Sequence, residues 1–462
     1  MQRAAVAIEV CALGWLIYTE DLSWAVPVLL VAIGCIACSL LTFAAWPAGA
    51  ISLLVAGSSV PRIVWSTAGL HIHPEHVVIL AALVAVLIKR SYRGTGRLDL
   101  QVFDYFLMAY VGLNFFSSAF RSPEPGSTLR WAALQTVVIL PYFLIRLLVK
   151  TRDMLWNTWL ILLIAGGAGS FYGCVSFLSN LLFGTSFGIE TGQYGQIPGT
   201  YGAQYEANIF GSYTACVAVM FLAGLLMSRD GQRQWWITGF LVGTFALVIS
   251  MSRAVLLSFP VAVLVVFWMT AKAQHLETRH LVRIVLTASA VLLLAVPFIV
   301  PMVRERFENL TDVSALTEDE TTVERLIQMK VAVDNIHDHP IFGTGTASFQ
   351  LFFRWQDYVP EMGDIAGWLG NTPLRILNDT GVAGLAVFVA FLGSLAWRFR
   401  KIAHCSDHRT RIVLVALASG VALYSMTFQS TEATMLAFTW IHLGLLANGV
   451  VMVQKEALQP VF

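Results

Sequence analysis

An arginine interrupts one of the most apolar stretches of this chain. Residues 235–270 read WWITGFLVGTFALVISMSRAVLLSFPVAVLVVFWMT, long enough for two membrane crossings, and Arg253 is the one ionisable side chain among them. A guanidinium there is costly unless it faces a polar cavity and a partner anion. The plainer alternative is an interfacial arginine snorkelling from a tight outer turn at SMSR. Arg325 poses a related question. It falls in the first turn of the helix predicted by TEDETTVERLIQMKVAVDNI (317–336), where the helix dipole disfavours a cation; a paired anion or carboxylate would explain it. Thr321 and Glu324 have capping-box spacing, and Leu326, Met329, Val333 and Ile336 share one face. A short amphipathic helix lying on a membrane domain is expected.

The segment DHPIFGTGTASF (338–349) follows, with Pro340 ending the helix and Gly343 and Gly345 opening backbone conformations closed to other residues. Its GxG lacks the third glycine of a dinucleotide fingerprint and follows no strand, so it does not read as a nucleotide site. It reads either as a tight turn beside a polar cavity or as a plain reversal between loop segments.

These residues sit in a chain built for lipid. Of 462 residues, 57% are hydrophobic and 12% charged, and mean hydropathy is +0.70, which places the protein in a membrane. Apolar runs of crossing length recur at 24–46, 77–88, 103–120, 129–149, 155–178, 207–227, 235–251, 254–270, 281–301, 379–397, 411–428 and 434–453, with weaker ones at 4–18 and 47–60. About 12 to 14 transmembrane helices are expected, an all-α polytopic fold. Arg3 precedes an apolar run, but Glu9 interrupts it and no clean cleavage site follows, so it reads as an uncleaved first span. The six cysteines fall in apolar runs or a basic loop and suggest no disulfide framework; Cys35 and Cys38, spaced CxxC, read as packing within a span.

Charge orients the spans. Basic groups cluster at 89–97, 146–152, 229–233, 272–283 and 398–411, whereas 183–205 and 429–433 hold no lysine or arginine. Basic short loops stay cytoplasmic, so both termini are expected inside and the long segment 302–375 outside. The expected organisation is membrane helices over 1–301, a large outer loop over 302–375, and the last three helices with a cytoplasmic C-terminus over 376–462. No internal repeat is evident, and a net charge of +1 points to no nucleic-acid partner.

Three segments resemble the O-antigen ligase and polysaccharide polymerase superfamily of bacterial membrane glycosyltransferases: SMSRAVLL, ERLIQMKVAVDNIHDHPIFGTGTASF and NTPLRILNDTGVAGLAVF. Their order and topology agree, and the likeness covers mainly residues 206–397. It implies an all-helical fold of the type shared with other lipid-linked-sugar glycosyltransferases. The implied reaction moves a glycan from a polyprenyl (undecaprenyl) diphosphate to an acceptor hydroxyl at the outer face of the cytoplasmic membrane. No cofactor, metal or nucleotide sugar is implied, and a flippase and a chain-length regulator are implied partners. By the same resemblance Arg253 and Arg325 hold the diphosphate as negative charge develops on it, with Arg375 a third candidate and Asn371, Gly343 and Gly345 around the substrate.

One departure matters. Many members of that superfamily, the ligases especially, carry a histidine before the asparagine of the last segment, proposed to activate the acceptor; this chain reads GWLGNTPL, with Gly370 there. Glu206, at the outer end of a span in GTYGAQYEANIFG, then becomes the leading candidate base, followed by His339, Asp364 and Asp379. Glu206 as a carboxylate merely capping its helix, and a dissociative reaction needing little base, stay open. The missing histidine tilts the expectation from ligase toward polymerase of repeat units. A lipid-linked glycan transporter is the rival from another class, but the candidate residues gather on the outer side. Trp355 and Trp368 are candidates for stacking a sugar, against the aromatic belt that any membrane protein carries.

Overall fold

The computed structural model describes residues 65–67, 70–72, 74–93, 99–190, 199–204, 206–228, 232–274, 320–358, 367–400 and 407–457. The expected spans at 4–18, 24–46, 47–60 and 281–301, and Asp364, lie outside them. The described chain is helical apart from two short antiparallel pairs, β1 (Trp65–Thr67) with β2 (Leu70–Ile72) and β3 (Ile189–Glu190) with β4 (Gly199–Thr200).

The helices are α1 (Pro74–Arg93), α2 (Val102–Phe120), α3 (Pro125–Leu148), α4 (Arg152–Phe183), α5 (Ala207–Met227), α6 (Arg233–Ile249) and α7 (Arg253–Gln274). After the break come α8 (Glu320–Asp338), the single turn α9 (Phe349–Phe352), α10 (Thr372–Phe399), α11 (His408–Thr427) and α12 (Ala437–Ala457). Among the described residues seven are long and apolar enough to cross a membrane: α3, α4, α5, α7, α10, α11 and α12. The protein is therefore multi-pass. Expected crossings at 77–88, 103–120 and 235–251 do form helices, but α6 is 17 residues long, and α2 spends Asp104, Asn114, Ser117 and Ser118 on buried polar contacts.

The core gathers on α5, which packs against α4, α6, α7 and α11, while α12 packs against α3 and α11. Small residues on α5 let its neighbours come close: a Cβ on Gly224 would meet the Trp236 indole at 2.4 Å. Such approach is how helices associate where no hydrophobic driving force separates protein from lipid. At the basic end Arg146 pairs with the buried Asp104, which Tyr142 also reaches at 2.7 Å, and Arg398 meets Gln454 at 2.9 Å.

The amphipathic helix forms as α8, but with a different face inward. Leu326, Met329 and Val333 are exposed, whereas Ile327, Val331 and Ala332 pack with Phe349, Phe353, Trp355 and Leu369. The apolar positions cover more than one stripe of this helix, and the aromatic cluster that follows it in sequence selects the stripe next to Asn335, which bonds to α10.

Candidate functional site

At the end away from the basic clusters, α10 is broken. Gly381 has φ 65° and ψ −167°, and the break is filled by the GxG loop. Thr344 and Gly345 donate their amides to the carbonyls of Asn378 and Asp379 at 2.9 Å each, while Val382 and Ala383 donate to Pro340 and Ile341 at 2.8 and 3.1 Å. The loop thus satisfies the backbone groups a helix break would strand in an apolar setting. Its threonines extend the contact to α2: Thr346 Oγ1 donates to Asn114 Oδ1 at 2.9 Å, and Ser118 Oγ accepts from Thr346 N at 3.0 Å. The polar segment 338–349 is therefore more than a plain reversal between loop segments: it fills the break in α10. Gly343 and Gly345, expected around the substrate, commit their backbone to this splice.

His339 closes the turn after α8, its carbonyl accepting from Gly343 N at 3.1 Å. It stands 14 residues beyond Arg325, about 20 Å of helical rise away. Arg325 and His339, both expected to be catalytic, are thus held well apart along α8.

The first half of α10 is fastened to the α11–α12 loop. Asn371 caps α10 by accepting from Leu374 N at 3.0 Å and donates to Gln429 O at 2.7 Å. Thr372 Oγ1 donates to Thr431 O at 2.9 Å and accepts from Ala433 N at 3.0 Å. That loop carries Thr431 to Glu206 and Glu432 to Arg375. Arg375 is buried, with Nε 3.5 Å from Asp379 Oδ2 and Nη1 3.4 Å from Glu432 Oε2; its guanidinium lies 4.2 Å from the Trp368 ring centre. Asp379 Oδ2 accepts from Ala347 N at 3.0 Å and Glu432 Oε2 from Met435 N at 3.1 Å, so both carboxylates are occupied.

Glu206 differs. It is the N-cap residue of α5, yet its side chain makes no cap bond and turns to accept from Thr431 Oγ1 at 3.0 Å. Burial pushes its carboxyl above the ordinary carboxylate range; the Thr431 bond and the charge of Arg325 pull the other way, and Glu432 adds to the rise. Two residues on, Asn208 Oδ1 accepts from Ser252 Oγ at 2.8 Å. Ser252 belongs to the α6–α7 turn, where Met251 has φ 56°, and Arg253 begins α7 immediately after it. Arg253 thus starts beside the end of α5 that bears Glu206.

The structure brings together Glu206, the Arg253 turn and Arg325, with Arg375 and Trp368 joined to them through the 428–433 loop. Glu432, Thr431, Asn208 and Trp131 were not anticipated. A signal existed for Glu432, a lone carboxylate between two apolar runs, the same kind of evidence that marks Arg253. Trp355 is buried in the α8 aromatic cluster, whereas Trp368 is 38% exposed and meets Trp131.

Residues 237–389 match the O-antigen ligase family model. The match runs from α6 through the broken α10 and includes Arg253, Arg325, Trp368, Asn371 and Arg375; Glu206 and Glu432 lie outside it. No curated protein matches the chain. The chain thus carries, over about a third of its length, an O-antigen ligase family domain.

Proposed function

We propose that this protein transfers a glycan from a polyprenyl diphosphate to an acceptor hydroxyl at the outer face of the cytoplasmic membrane, joining repeat units into a polysaccharide. The observation that carries the reading is the placement of Glu206: a half-buried carboxylate turned away from its helix cap, under the charge of Arg325, beside the turn that starts Arg253. The acceptor oxygen attacks the anomeric carbon as the bond from that carbon to the phosphate oxygen breaks. The acceptor proton passes to Glu206, and the diphosphate leaves with the charge that Arg253 and Arg325 neutralise. Planar guanidinium forks suit that task, because they bind phosphate oxygens in pairs and act in a low-dielectric site.

Transfer of a finished chain to a lipid core is the second reading, favoured by the description of the matched family. Gly370, which offers no imidazole to an acceptor, favours polymerisation. Termini in the cytoplasm and the 302–375 segment outside follow from the basic loops. A transporter is disfavoured because the candidate residues Glu206, Arg253, Arg325 and Arg375 gather toward one end of the helices.

Glycan profiles of a deletion strain complemented with wild type, Arg253→Ala, Arg325→Ala or Gly370→His test this. Single repeat units accumulating with both arginine variants, at normal membrane levels, support a polymerase. Full-length chains retained on the carrier indicate a ligase, and normal polymer from both variants overturns the assignment.

A further inference from the structure

The geometry points to a pyranose subsite made by Trp131 and Trp368, which holds a sugar ring of the glycan substrate at the edge of the charged cluster; it rests on the proposed function and adds a second contact to it. Trp131 stands near the start of α3 and Trp368 just before α10, elements far apart in sequence, yet their ring centres are 5.9 Å apart with planes at 64°. The two indoles form a corner. Rings of an interfacial belt have no need to meet one another, and this pair is also anchored: the buried Arg375 guanidinium lies 4.2 Å from the Trp368 ring centre, with Asp379 and Glu432 holding that guanidinium.

A cation on one side leaves Trp368 still 38% exposed, so the ring is fixed and open at once. Two residues on, the space is also open: a Cβ on Gly370 would meet only the Ser430 carbonyl, at 3.7 Å. Pyranose rings have an apolar face of C–H bonds and a rim of hydroxyls. Steeply inclined aromatic planes contact such a face and its edge together, at little cost in side-chain entropy, because each tryptophan has two rotatable bonds. The same 428–433 loop borders Gly370 and, through Thr431, reaches Glu206. A sugar in the corner is therefore placed across that loop from the carboxylate that takes the acceptor proton.

The test is radical footprinting of the full-length protein in nanodiscs, reading oxidation of Trp131 and Trp368 by mass spectrometry. Three probes are compared: the lipid-linked glycan pool extracted from a strain lacking this protein, the glycan released from that pool by mild acid, and undecaprenyl diphosphate. Both glycan-bearing probes are expected to protect both rings, and the bare carrier to leave them as oxidised as without a probe. Protection by the carrier equal to that by the glycans overturns the subsite, as does no protection while wild-type nanodiscs consume the lipid-linked pool. If wild-type nanodiscs leave that pool unconsumed, glycan transfer itself fails and the subsite with it. In the same assay Trp131→Ala should raise the half-saturating concentration of the pool about tenfold with a smaller effect on saturated turnover, and Trp131→Phe should recover most of the loss. Equal losses in turnover and affinity, unrescued by phenylalanine, would mark the ring as scaffold only.

Discussion

Ile341 and Gly381 lie backbone against backbone: a Cβ on Gly381 would fall 2.3 Å from the Ile341 carbonyl carbon and oxygen. Gly381 also has φ 65°, a region that side chains beyond glycine enter at a cost. The splice between the GxG loop and the broken helix depends on both properties. Gly381→Ala should cost about 3 kcal/mol or more, from the strained dihedral together with displacement of the loop. Gly370→Ala, with nothing nearer than 3.7 Å, should change stability by less than about 0.5 kcal/mol. Thermal unfolding of both variants in nanodiscs checks the contrast.

Much of this architecture is legible in the sequence, because apolar runs of crossing length and basic loops report directly on a bilayer. The charges proposed for the site are singled out in the same way, Arg253 inside an apolar run and Glu206 at the end of a span. The helix-dipole argument for Arg325 does not hold: α8 already runs from Glu320, which puts Arg325 past its first turn. The splice is not legible. Gly381 in NDTGVAGL looks like any helix-tolerated glycine, and its partner lies some forty residues earlier, in a loop whose own pattern suggests only a turn. The inward face of α8 is likewise decided by Phe349, Phe353 and Trp355, which lie beyond the helix and carry no helical periodicity of their own.

Arg375 is a buried cation between two buried carboxylates. Removing it strands Asp379 and Glu432 without their counter-charge, and a buried charge without its partner is costly. Arg375→Met should destabilise the protein by about 3–5 kcal/mol. Adding Glu432→Gln to that variant should recover part of the loss, because one stranded charge disappears. A double-mutant cycle on unfolding midpoints measures the coupling, and additive losses would show that the pair does not act as one unit.

At the opposite end Asp407 caps α11, its Oδ2 accepting from Thr410 N at 3.0 Å, and it lies 3.9 Å from Arg152. Partial burial pushes its pKa up, yet the Thr410 bonds and the Arg152 charge outweigh it and hold the carboxyl below the usual range. A depressed folded value means stability that is present above the unfolded carboxylate range and lost as pH falls through the folded one. Asp407→Ala should therefore cost about 1 kcal/mol at neutral pH, the worth of a helix cap. The difference from wild type should shrink in acid; a pH-independent difference would assign the loss to packing instead.

Glu206 carries the opposite sign. Its burial raises the folded value, so the unfolded carboxyl ionises first as pH rises, and the wild type loses stability from the ordinary carboxylate range up through the raised one. Glu206→Gln, neutral throughout, should melt above wild type at neutral pH, with the gap closing in acid where Glu206 is protonated. Activity should run the other way. A base must be ionised to take the acceptor proton, so transfer should rise with pH along a limb lying above the usual carboxylate range, and the glutamine variant should lose both the rate and the limb. Measuring melting and transfer on the same two proteins across pH separates the roles. A glutamine variant that is more stable yet equally active would leave Glu206 a strained structural carboxylate and move the acceptor proton to another group.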